Sequence, residues 1–188
     1  MTRVILHGGY GGLWDNAGKD MALFQILADA AAQADNRLLI SFLAHEKPSD
    51  FPHLDQLLAT FRIINPDVQV TIAGQDNFRE LLPQFKVLFL QGGTSRRQHQ
   101  ALKGYSKEDL MENKTLIARS SSGSMMLCKY GYSRSSNGVL EGKGVVDYAV
   151  MPHANAWAVE EFLSELQAVT TCEILLLDEM QIIELKTA

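Results

Sequence analysis

Cysteine is scarce in this chain. There are two in 188 residues, Cys128 and Cys172, and neither lies in a Cys-x-x-Cys pair or a metal-like cluster. That leaves no cysteine-based metal site in view, and two unclustered thiols fit a reducing compartment. Basic charge is short as well. Lys and Arg number 17 against 22 Asp and Glu, for a formal net charge of −5. No Lys/Arg block could track a phosphate backbone, so nucleic acid is not expected as a partner. The tandem Arg96-Arg97 is too short for that role and reads as a solvated turn or a local anion contact. No apolar run reaches the length of a membrane span, which argues against a membrane partner. No positively charged segment with an apolar core opens the chain, so no secretory leader is expected and a cytoplasmic location is. Internal repeats, low-complexity runs and linkers are also absent.

What is present is an ordinary globular balance, 46% hydrophobic and 21% charged. One domain spanning 1–188 can bury a substantial core at this length. Apolar patterning predicts strands at Arg3–Leu6, Arg37–Ala44, Val68–Ile72, Lys86–Leu90, around Ile117, and at Val145–Met151. Helical spacing predicts Lys19–Ala34, Leu54–Ile64, Phe78–Phe85 (stopped or kinked near Pro83), Arg97–Lys103, Lys107–Asn113 and Trp157–Val169. Gly138–Gly144 reads as a glycine-rich loop. Cys172–Leu177 and Gln181–Leu185 are short strands close enough to form an antiparallel edge hairpin. Strands alternating with helices predict a three-layer α/β domain, with a mostly parallel central sheet and helices on both faces.

The organising stretch runs from Leu116 to Cys128. An apolar strand passes through Arg119-Ser120-Ser121-Ser122-Gly123 into an apolar helix without proline. Such a corner raises one side chain, read here as Ser121, at the sheet edge over backbone N–H groups that can stabilise an oxyanion. A serine-rich helix cap without chemistry is the plainer alternative. Ligands bind beyond the carboxyl ends of parallel strands. Those ends bring Gly92-Gly93, Ser121 and His153 to one edge. A serine hydroxyl needs a base, and His153 is the best placed of five histidines. His45 and His53 fall in a polar loop, and His99 on an exposed helix. The Gly93 and Ser122 N–H groups fit an oxyanion hole. His7 reads as a strand-end histidine with a structural hydrogen bond. The opening His7-Gly8-Gly9-Tyr10-Gly11-Gly12 matches neither a dinucleotide nor a phosphate loop.

Five pieces in this order carry a family resemblance: Leu6-His7-Gly8-Gly9, Leu90-Gln91-Gly92-Gly93, Ser121-Ser122-Gly123-Ser124, Glu141-Gly142-Lys143-Gly144-Val145-Val146 and Met151-Pro152-His153. They resemble the peptidase E and cyanophycinase group of serine hydrolases. That group shares the class I glutamine amidotransferase-like fold, a flavodoxin-like arrangement. The resemblance implies Ser121 as nucleophile, His153 as base and Glu179 as acid, with Asp178 and Glu141 as alternative acids. Gly92, Thr94 and Arg96 are the candidate substrate contacts, and the resemblance calls for no metal or organic cofactor. The implied activity is a serine peptidase cleaving short peptides, with dipeptides carrying an acidic residue as the narrower candidate. A homodimer stays open. Arg119 stands where the family has Gly, Thr94 where Asn is common, and Ser136-Asn137 where peptidase E has an Asp. Arg96, Arg119 or Arg134 could hold a carboxylate bidentately. The Arg119 departure motivates an inactive binding module as the alternative. A glutamine amidotransferase-like thiol enzyme ranks last, because Cys128 lies inside the helix after the elbow.

Overall fold

A computed structural model of the chain describes residues 1–10, 21–156 and 159–187. The order is β1 (Arg3–His7), α1 (Met21–Ala34), β2 (Arg37–Ser41), α2 (Leu54–Ile64), β3 (Gln69–Ala73), α3 (Phe78–Leu81), β4 (Val87–Leu90), α4 (Ser95–Leu102), α5 (Lys107–Met111), β5 (Leu116–Ser120) and α6 (Ser122–Leu127). Then follow β6 (Tyr130–Ser133), β7 (Gly138–Glu141), β8 (Ala149–Pro152), α7 (Val159–Val169), β9 (Ile174–Leu177) and β10 (Ile182–Lys186). The predicted helix starts at Lys19 and Trp157, and Gly11-Gly12 of the opening loop, lie outside the described residues.

Five strands run parallel in the order β1-β5-β4-β2-β3, and β10 closes the β1 edge antiparallel. Val4–Leu6, Leu38–Ile40, Val87–Leu90 and Leu116–Ala118 are fully buried. Continuous apolar runs are what a parallel sheet covered on both faces requires. One face packs on α1 and α2 through Leu23, Phe24, Leu27, Leu57 and Phe61. The other packs on α6 and the helices beside it through Phe78, Leu102, Leu110 and Met125–Cys128. The architecture is α/β with a mostly parallel sheet between helices.

Strand β6 was not expected from the sequence, and β8 lies in a second sheet rather than the central one; two further features also differ. First, β9 and β10 are not a hairpin. β9 pairs with β8 and β10 with β1, in different sheets. The turn between them carries the chain from one sheet to the other. Second, part of the expected glycine loop is strand β7, antiparallel to β6. These strands form a four-stranded sheet, β7-β6-β8-β9, on the far side of α6. Its outer face holds α7, with the Tyr132 and Phe162 rings stacked at 4.5 Å. The second sheet therefore delivers the ends of β8 and β9 to the carboxyl edge of the first.

Candidate active site

β5 ends at Ser120, in register with His7 of β1, while Arg119 pairs with Leu90 of β4. The chain then turns at once into α6. Ser121 makes that turn at φ 52° and ψ −121°, a conformation that L side chains rarely adopt. Neighbouring bonds hold it there. The Ser121 N–H donates to His7 O at 2.9 Å, and the Ser124 N–H donates to Ser121 O at 2.8 Å. Ser124 Oγ donates to His7 O at 3.0 Å. His7 itself is buried, its Nδ1 accepting the Gly9 N–H at 3.2 Å and lying 3.1 Å from Ser120 Oγ. It is the structural strand-end histidine expected. A strained backbone held by several bonds is characteristic of functional corners.

His153 follows β8 at φ 58° and is tied to the first sheet by its N–H donating to Gly8 O at 3.1 Å. Its ring lies against Gly9, whose φ is +105°. A Cβ there would fall 2.3 Å from His153 Cε1 and 2.4 Å from Nε2, so only glycine admits the ring. His153 Nε2 lies 2.7 Å from Ser121 Oγ, and Nδ1 lies 2.9 Å from Glu179 Oε1. The His153 and Glu179 side chains are only 15% and 19% exposed.

Glu179 is placed by the crossover turn between β9 and β10. The Gln181 N–H donates to Asp178 O at 3.1 Å, the Met180 N–H to Gly9 O at 2.9 Å, and the Glu179 N–H to Asn155 Oδ1 at 2.9 Å. Asp178 is exposed, and Glu141 is exposed on β7 opposite Tyr130. Of the three carboxylates considered, Glu179 is the one against the imidazole.

Gly92 and Gly93 close the other side. A Cβ on Gly92 would sit 3.1 Å from Ser121 Cβ. Gly93 has φ +146°, and its N–H donates to Ser122 Oγ at 3.1 Å. Ser122 Oγ donates to Gln98 Oε1 at 3.1 Å, and Gln98 Nε2 donates to Gln91 O at 3.2 Å. Buried Gln98 thus links the diglycine arm to the elbow. Ser122 opens α6, so its own N–H has no acceptor within the helix.

Two recesses flank the Ser121–His153 pair and share both residues and Gly93. One, of about 450 Å³, carries Arg134 and the hydroxyls of Ser95, Ser133 and Ser135. Ser95 Oγ lies 2.5 Å from Ser133 Oγ and 2.6 Å from Ser135 Oγ. The other, of about 290 Å³, is walled by Tyr10, His45, Phe51, Pro52 and His53. A larger hollow of about 640 Å³ between α5 and β10 shares no residue with this edge. Thr94 and Arg96 are exposed and line neither recess, whereas Gly92 lines the aromatic one. Among the described residues no group of three or more His, Cys, Asp or Glu could hold a metal ion.

Two solved structures share this fold. A peptidase from an acI-B1 Actinobacterium superposes with a TM-score of 0.63 at 14% identity, covering 100% of this chain and 84% of its own. A Listeria monocytogenes EGD-e protein that carries the peptidase E name superposes with a TM-score of 0.64 at 13% identity, over the whole of both chains. The fold is peptidase E-like. At these identities the likeness is one of fold. No protein-family model and no curated protein sequence matches the chain.

Within the peptidase E-like fold, Arg119 is a fully buried cation that leaves the cleft alone. Its side chain runs beneath α6, where the missing Cβ of Gly123 makes room, and Nη1 donates to Gly123 O at 2.9 Å. Burial pushes its pKa down to about 9. Its Nε and Nη2 have no hydrogen-bond partner among the described residues. Of the three arginines considered for a substrate carboxylate, Arg134 alone lines a recess. Sequence reasoning named Gly9 only within the opening glycine loop and motif, and passed over Asn155, Gln98 and the aromatic wall. His45 and His53 read as polar-loop histidines because nothing periodic marks a wall built from two separate loops. The Gly8-Gly9 pair was the one signal available for the His153 seat.

Proposed function

We propose that the protein is a serine peptidase acting on short peptides. One observation carries the reading: a hydrogen-bond chain from Ser121 Oγ through His153 to Glu179, 2.7 Å and 2.9 Å long, built from three remote turns around a strained serine. Ser121 Oγ attacks the scissile carbonyl as His153 Nε2 takes its proton. Glu179 accepts the Nδ1–H, fixes the tautomer and stabilises the imidazolium that forms. The tetrahedral oxyanion takes the Ser122 N–H, and the Gly93 N–H as the Ser122 hydroxyl gives way to it. His153 returns the proton to the leaving amine, which departs and leaves an acyl ester on Ser121. Water attacks that ester, His153 takes the water proton, and transfer to Ser121 Oγ releases the acid.

Arg134 and the serine hydroxyls suit a substrate carboxylate, which supports peptides with an acidic residue as the narrower reading. A thiol mechanism has little support. Cys128 is fully buried at the end of α6, and burial pushes its thiol pKa up. The test is hydrolysis of a dipeptide panel that includes acidic members, by the wild type and Ser121→Ala. Cleavage by the wild type, and its loss in a variant of unchanged circular dichroism, is expected. Equal turnover by both would refute the assignment. A folded wild type that cleaves nothing on the panel would favour a binding module.

A further inference from the structure

The aromatic recess has no part in the bond-breaking steps above, yet it opens directly onto Ser121, His153 and Gly93. We propose that it is a substrate subsite that receives an aromatic side chain of the peptide, on one side of the scissile bond. The inference rests on the serine peptidase reading and adds a substrate class to it. Both recesses share Ser121 and His153. A peptide whose carbonyl sits on Ser121 therefore places one neighbouring residue toward each. The polar recess offers a guanidinium and hydroxyls. The other offers ring faces and edges, with no carboxylate, Lys or Arg among its described lining residues.

The wall is preformed. Phe51 is buried against Phe42 at 5.3 Å between ring centroids, and meets His45 and His53 edge-on at 5.5 Å and 5.8 Å. Tyr10 stacks on Phe24 at 6.1 Å. Burial lowers the pKa of His45, with a backbone hydrogen bond to Gly92 and the charge of Asp50 partly opposing, which favours the uncharged ring. An incoming ring finds partners at the offset and edge-on separations that aromatic pairs prefer. A charged side chain would lose water there, and no described lining residue would be its counter-ion. The volume of about 290 Å³ holds one aromatic side chain and little else.

The experiment uses the full chain and short peptides in which Phe, Ala, Lys and Glu are placed in turn at each position flanking the scissile bond. At one of the two positions Phe is expected to exceed Ala in kcat/KM by about tenfold or more, with Lys and Glu at or below Ala. Phe51→Leu and, at the rim, His53→Ala are expected to lower the Phe-to-Ala ratio toward one. His53→Ala keeps the test open where Phe51→Leu fails to fold. Cleavage with equal kcat/KM for Phe and Ala at both positions overturns the subsite and leaves the peptidase reading standing. So does a Phe preference that survives both substitutions. Absence of any cleavage, together with no covalent labelling of Ser121 by a fluorophosphonate, overturns both.

Discussion

Replacing Gly9 with alanine should disable the site without replacing any reacting group. The added Cβ would stand 2.3–2.4 Å from the His153 ring, where ordinary contact begins at 3.4 Å. The ring must retreat by about 1 Å, and a displacement of that size in a catalytic constellation costs about 100-fold in rate. The 2.7 Å bond to Ser121 and the 2.9 Å bond to Glu179 cannot both survive the shift. Alanine at φ +105° adds backbone strain of about 1–3 kcal/mol, so a lower Tm accompanies the loss. The assay is the second-order rate of fluorophosphonate labelling, followed by intact mass, with circular dichroism and Tm as fold controls. It needs no knowledge of the natural substrate. Labelling should slow about 100-fold in a folded variant. Wild-type labelling by Gly9→Ala at an unchanged Tm would refute the placement of the imidazole and the role given to Gly9.

Glu179→Gln keeps the side-chain shape but removes the charge facing the imidazolium. It should lower kcat by about 10³–10⁴-fold with the fold intact, and a drop below tenfold would transfer the acid role elsewhere. Gln98→Leu strips the Ser122 hydroxyl of its acceptor and Gln91 O of its donor. Urea titration should show about 1–3 kcal/mol less stability, and labelling of Ser121 should slow as the diglycine arm loosens. Arg119→Met keeps the buried volume and removes a poorly partnered cation, so its Tm should match or exceed wild type. Arg119→Gly leaves a void beneath α6 and should cost about 2–5 kcal/mol by the same titration.

The strands of the first sheet were legible because each is a short apolar run, and parallel order follows once helices intervene. Their carboxyl ends, at Leu90 and Ser120, then bring Gly92-Gly93 and Ser121 together by topology alone. His153 was legible as the polar residue after a buried strand and a proline, although that strand belongs to the second sheet. Pairing across distance was not legible. The three residues 178–180 look like a hairpin turn, because local sequence states that the chain reverses and not which sheet each arm joins. That reversal between sheets is what sets Glu179 on the imidazole. β7 was hidden by the turn at Asn137, a residue at φ 47°, and by Gly138 at the strand's start. Arg119 looked like a threat to the elbow from its position in the motif. Its escape beneath α6 depends on a glycine four residues later, a contact visible only once the helix is folded over the strand.

Peptide mapping of the fluorophosphonate-treated protein by mass spectrometry is the most direct measurement. A single adduct on Ser121, absent when Glu179 or His153 is replaced, is the result expected of a hydroxyl activated through the imidazole. A folded protein that carries no adduct, or one whose adduct lies on another serine, would contradict it.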